Sequence, residues 1–194
     1  MSIINVVGAK IWGGGEQYVY DICKQLQQRH RTAYILVDQS NEDMQSRYAQ
    51  VGHVMTANLY TLKGFLSVNA VAKQVKEQGI NTIVCHSGKY ILFCIALKQL
   101  TGAKLVFIKH NLVPGKTDMY HRWINAQVDA FVCVSKLVYD DLMTPVIKDT
   151  SKYHVVHNGI DPNRFQSFSD AVPMKSKVRT FGYSARITER KGLY

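Results

Sequence analysis

These 194 residues hold no C-x-x-C pair, no apolar run of membrane length, no charged-then-apolar leader and no carboxylates at metal-ligand spacing. Each absence excludes a class. Without paired cysteines or clustered histidines there is no expected zinc site or redox dithiol, and without an Asp-x-Asp spacing no expected site for a hard cation. Without a span or leader, the expectation is a cytoplasmic protein. Cys23, Cys85, Cys94 and Cys133 fall inside apolar periodic segments, which predicts reduced, buried thiols.

Acidic residues are also scarce, 14 against 24 Lys and Arg, for a net charge of +10. Half of that excess lies from Ala171 onward, where Lys175, Lys177, Arg179, Arg186, Arg190 and Lys191 meet Glu189 alone. Charge loaded into a short tail fits one anionic-ligand site plus a linker better than a nucleic-acid groove, so no nucleic-acid partner is expected.

What is present begins with Gly13-Gly14-Gly15-Glu16, between an apolar run at Ile3 to Val7 and a helical stripe of Val19, Ile22, Cys23 and Leu26. Glycines where a strand hands over to a helix let backbone N–H groups approach a phosphate or sugar. They also serve a tight turn, and both readings stay open from this stretch alone. Two known fingerprints fail here. A Walker loop needs Lys and Ser or Thr where Gly14 and Gly15 stand, and a dinucleotide loop needs a glycine at Tyr18.

Strand and helix patterns alternate beyond it. Strands are expected at Thr32 to Val37, His53 to Thr56, Ile80 to Cys85, Lys104 to Ile108, Ala130 to Val134 and His154 to Val156. Helices are expected from Asn41 to Val51, around Val68 to Val75, from Lys89 to Leu100, from Met119 to Ala126 and from Ser135 to about Met143, with Tyr60 to Gly64 as loop. Such alternation predicts an α/β fold, Rossmann-like, with a mainly parallel sheet covered by helices on both faces. Residues 171–177 read as a linker, and 178–194 as the start of a second unit after a first domain of 1–170.

In such sheets ligands bind beyond the C-terminal ends of the strands. That selects Gly13 to Glu16, His86, His110, Ser135, Asn158 and Gly159 as candidates. His110 is the candidate catalytic residue, since a rim histidine titrates near neutral pH; a hydrogen-bonded structural role is the competing account, as it is for His86. Arg186 and Lys191 lie five apart, ahead of Gly192, where both could reach one diphosphate; a solvated charge run is the alternative. Ser87 and Ser135 lack a nucleophile elbow.

Five elements in order carry a resemblance: Gly13-Gly14-Gly15-Glu16, His110, Asp129 to Ser135, Asn158-Gly159-Ile160-Asp161, and Gly182 to Arg186 with Lys191-Gly192. The chain resembles the N-terminal half of a family-four glycosyltransferase of the GT-B fold. Gly15 stands for the usual alanine, Ile160 for valine, His157 for proline and Ala185 for glycine, and the family's paired glutamates would lie beyond Tyr194.

The resemblance implies a retaining transfer of sugar from a nucleotide-sugar donor, a co-substrate rather than a cofactor, to a glycan or lipid-linked acceptor. It implies Arg186, Lys191, Gly14 and Gly15 at the donor phosphates and His110 near the reacting sugar. Gly13, Glu16, His86, Ser135, Asn158 and Gly159 would line the cleft, and residues 1–194 alone would not turn over. Tyr60, Lys63, Phe65 and Leu66 fit peripheral contact with the inner face of the cell membrane, or a buried junction. A sugar-nucleotide epimerase of the same fold, a nicotinamide-dependent oxidoreductase and a basic binding module are the alternatives.

Overall fold

The computed structural model describes residues 2–60, 62–143, 150–161 and 182, and for 62–65 the backbone only. Among the described residues seven strands run β1 (Ile3–Val7), β2 (Ala33–Asp38), β3 (His53–Ala57), β4 (Thr82–Cys85), β5 (Lys104–Lys109), β6 (Ala130–Cys133) and β7 (Tyr153–Val155). Between them lie α1 (Gly14–Gln28), α2 (Glu42–Tyr48), α3 (Leu62–Glu77), α4 (Ile91–Thr101), α5 (Met119–Gln127) and α6 (Lys136–Leu142). All pairings are parallel, in the order β3-β2-β1-β4-β5-β6-β7. The expected Rossmann-like sheet is therefore present, within a unit spanning Met1–Ile160.

Side-chain alternation along the strands builds a core on each face. Ala33, Ile35 and Val37 of β2 pack with Val7, Val19, Cys23, Met44 and Tyr48 under α1 and α2. Ile4, Val6 and Leu36 point the other way, into a larger cluster with Val68 and Val75 of α3 and Phe93, Cys94 and Leu97 of α4. All four cysteines are free and buried, as expected from their apolar settings.

Local chemistry sets the element ends. Asn41, Asp118 and Ser135 cap α2, α5 and α6 by accepting from the N–H of Met44, His121 and Val138. Gly102 closes α4 at a φ of 73°, in the left-handed region. Two boundaries differ from expectation. α3 begins at Leu62, so the stretch expected as loop already contains its first turn; Gly64 lowers helix propensity without stopping a helix whose later turns are packed. β4 begins at Thr82 rather than Ile80, because Gly79 at φ 61° and the Ile80 N–H bond to Val75 O complete the end of α3 first.

Among the described residues no helix is long and apolar enough to cross a membrane, and no group of His, Cys, Asp and Glu could hold a metal ion.

Candidate functional site

β1 pairs with β2 on one edge and β4 on the other, and the chain reverses its direction of travel between them. This switch point opens a crevice beyond the strand ends. Three of the expected positions meet there: the glycine loop after β1, His86 after β4 and His110 after β5.

Gly13 precedes α1 in extended backbone and offers no side-chain cap, so the first-turn amides of Gly14, Gly15 and Glu16 find no hydrogen-bond partner among the described residues. Those amides and the helix dipole favour an anion. A methyl group built on Gly14 would meet nothing within 4 Å, and one on Gly15 only His110 Cγ at 4.0 Å. Packing therefore does not demand glycine at 14; its bareness leaves open room over the helix start.

Gly8 is the opposite case. A Cβ there would lie 2.8 Å from the Tyr90 ring and 2.9 Å from Tyr60 Oη, so this glycine answers to internal packing. The far side of the loop is held by Asn41, whose Nδ2 donates to Ala9 O at 2.9 Å. Trp12 also anchors it, donating to Gln17 Oε1 at 3.2 Å under the Arg47 guanidinium.

The two histidines are joined. His86 Nδ1 lies 3.0 Å from His110 Nε2, and His86 Nε2 lies 3.1 Å from Oδ1 of Asn5. Asn5 is a 3 % exposed amide in the middle of β1, and its Nδ2 faces Cys23 Sγ at 3.8 Å. A carbonyl oxygen only accepts, so His86 Nε2 carries the hydrogen. Burial, and then repulsion from His110, pushes the His86 pKa down to about 3, so the ring is neutral and its Nδ1 is a lone pair. His110 must then donate from Nε2, which leaves its Nδ1 as an acceptor with no partner among the described residues. Burial also lowers the His110 pKa. Tyr18 of α1 stands edge-on to both rings, at 6.3 and 5.2 Å between centroids.

Beside the pair lies a cleft of about 400 Å³ between the ends of β4 and β5 and the start of α5. His86, His110, Phe107, Lys109, Tyr120 and Ile124 are among its walls. Lys109, the last residue of β5, rests its Nζ 4.7 Å from the centre of the Phe107 ring, and burial lowers its pKa.

Ser135 and Glu16 make other contacts. The Ser135 hydroxyl accepts from Val138 N–H as a helix cap. Asn158 and Gly159 follow β7 and are exposed. Glu16 lies in the first turn of α1, its carbonyl accepting from Tyr48 Oη at 3.0 Å. Arg186, Lys191, the linker and the expected later strand lie outside the described residues, as do the side chains of Lys63 and Phe65. Tyr60 turns its ring toward Tyr90, while Leu66 is exposed.

Asn5 and Lys109 were not among the expected site residues. The signal for Asn5 was a lone amide inside an otherwise apolar strand that ends at the glycine loop.

The class defined by this sheet and crevice agrees with the comparisons to known proteins. The model of Glycosyltransferase Family 4 matches residues 12–164, and the chain belongs to that family. No curated protein matches the sequence. Among solved structures, a glycosyltransferase from Rickettsia africae aligns with a TM-score of 0.73 at 19 % identity, covering 85 % of this chain and 45 % of that one. HepE of Anabaena, in complex with UDP and glucose, aligns at 0.66 and 18 %, covering 88 % and 48 %. MurG of Acinetobacter baumannii aligns at 0.59 and 11 %, covering 83 % and 47 %. These likenesses establish the GT-B-type fold, and the chain spans about half the length of the proteins it matches.

Proposed function

We propose that this chain is the acceptor-side part of a retaining glycosyltransferase, moving a sugar from a nucleotide-sugar donor to a glycan or lipid-linked acceptor. The observation that carries the reading is the convergence of an open, glycine-lined helix start and a neutral histidine pair at the switch point of a Family 4 sheet. HepE holds UDP and glucose, which supports a uridine-diphosphate sugar as the first donor to test.

In this reading the acceptor oxygen takes the place of the diphosphate on the same face of the anomeric carbon, the diphosphate leaves with the electron pair of the broken bond, and the acceptor hydroxyl's proton passes to the departing phosphate oxygen. The diphosphate's charge is met by the amides of Gly14 and Gly15, and the family resemblance gives Arg186 and Lys191 the same role. Preorganised donors of that kind stabilise charge as it develops. His110 orients the reacting sugar by accepting a hydroxyl hydrogen at Nδ1, with His86 beside it in the cleft and Gly13 and Glu16 at the neighbouring helix start. A cytoplasmic setting with peripheral membrane contact belongs to the same proposal.

The test is thermal protection by nucleotide sugars, since a ligand at a hundred times its Kd adds about 2.7 kcal/mol. UDP-glucose should raise the melting temperature and shift the amide resonances of Gly14 and Gly15. No protection by any nucleotide sugar would sink the reading. With a chain that also carries the family's second half, the anomeric coupling constant of the product, measured by proton NMR, separates retention from inversion. Its chemical identity separates transfer from epimerisation.

A further inference from the structure

We propose that the cleft beside His110 receives an acceptor sugar bearing an oxyanion, a phosphate or a carboxylate, with half-buried Lys109 as its counter-ion. This rests on the acceptor-side reading above and adds the charge class of the acceptor.

The charged residues lining the cleft are of one sign: Lys89, Lys109 and Lys116 are among them, and no Asp or Glu is. The carboxylate nearest in sequence on α5, Asp118, is already engaged, accepting from the His121 backbone N–H at 3.1 Å and sitting 2.6 Å from its Nδ1. Lys89 and Lys116 are exposed rim residues without an ion pair among the described residues, and alone they would mean little.

Lys109 is different because it is half-buried and has no oxygen partner among the described residues. Elsewhere this fold pairs lysines in comparable settings. Lys98 Nζ reaches Asp129 Oδ2 at 2.7 Å and Gln127 O at 2.6 Å, and Lys152 Nζ is bonded to Asn125 O. Lys109 has instead the face of Phe107, 4.7 Å from its ring centre. A desolvated ammonium held only by a ring is an unfavourable arrangement for the empty fold, and an incoming oxyanion removes that cost.

The remaining walls suit the rest of such a ligand. Phe107, Ile91, Val113, Tyr120 and Ile124 offer apolar and aromatic surface for a sugar face, and the 400 Å³ of space holds one or two sugar rings. Lys109 adjoins His110, so an anion on Lys109 places its sugar against the proposed reaction centre. A neutral acceptor would leave the ammonium unpaired.

The experiment is isothermal titration of the chain with glucose 6-phosphate, glucuronate and methyl glucoside at one ionic strength. At least one charged sugar is expected to bind tenfold or more tightly than methyl glucoside, and which of them does so separates phosphate from carboxylate. Lys109→Met should abolish the preference, Lys109→Arg should keep it, and Gly14→Val, which fills the glycine loop, should leave it intact. Equal affinities, no saturable binding of either anion, or an unchanged preference in Lys109→Met overturns the proposal. Should Lys109→Met fail to fold by circular dichroism, the Lys109 Cε resonance of the unmodified chain decides: it must shift on adding the preferred anion, and a static resonance overturns the proposal. No nucleotide enters these titrations. A chain that prefers the anion but ignores nucleotide sugars refutes the transferase reading alone.

Discussion

His86 Nδ1 accepts from His110 Nε2 at 3.0 Å, and the direction of that hydrogen bond is dictated from the far side of His86 by the Asn5 carbonyl oxygen. One buried amide in β1 thus decides which nitrogen of a rim histidine faces substrate as a lone pair. Nitrogen-15 NMR at neutral pH should find both rings neutral and protonated at Nε2. Asn5→Leu should release that assignment and destabilise the fold by about 1–3 kcal/mol, since a buried N–H loses its acceptor. An unchanged tautomer pattern in Asn5→Leu would remove Asn5 from the relay.

The same pair makes stability depend on pH. An unfolded histidine protonates near its ordinary 6.5, whereas folded His86 protonates only near 3. Between those values the unfolded chain binds more protons, so this contribution is complete above 6.5 and falls as the pH drops through the window. The slope is at most about 1.4 kcal/mol per pH unit for one histidine. Denaturant melts from pH 7 to 4 should show the loss, and His86→Phe should flatten it.

Gly8 and Gly14 should respond oppositely to alanine. Gly8→Ala drives a Cβ into Tyr90 and Tyr60 and should cost about 1–3 kcal/mol. Gly14→Ala meets open space at the first position of α1 and should stabilise by about 0.4–1 kcal/mol while weakening nucleotide-sugar binding. Thermal melts with and without UDP-glucose read both effects.

Lys109→Met should raise the melting temperature of the ligand-free chain. Replacing a half-buried ammonium that has no oxygen partner among the described residues by an apolar side chain of similar length is worth about 1 kcal/mol, or roughly 2–4 °C at this chain length. A lower melting temperature would mean that Lys109 has a structural partner.

Ser135→Ala should cost about 1 kcal/mol through loss of the α6 cap and leave ligand binding unchanged. A binding defect at full stability would return Ser135 to the site.

The sheet and its rim were legible in the sequence because parallel strands advertise themselves as apolar runs that end in polar turns, as at Cys85-His86 and Lys109-His110. The links between rim residues were not. The Asn5 amide reaches His86 across a pairing that sets Asn5 opposite Val84, a register that no local pattern encodes. Ser135 has the same address as His110, yet its short hydroxyl turns back to its own helix, a choice that depends on backbone geometry at Val138. Lys109 was hidden because a lysine at a strand end usually reaches solvent, and only the wall of α5 and its preceding loop encloses it.

Strand order also sets when the crevice can come into being. β1 can pair with β2 soon after both are made, but its other edge waits for β4, which sets Ile3 beside Thr82. At a synthesis rate of about 5–20 residues per second, several seconds separate the glycine loop from the histidine it faces. A nascent chain stalled before Thr82 therefore carries every glycine of the loop and still has no crevice, with the Asn5 amide awaiting His86.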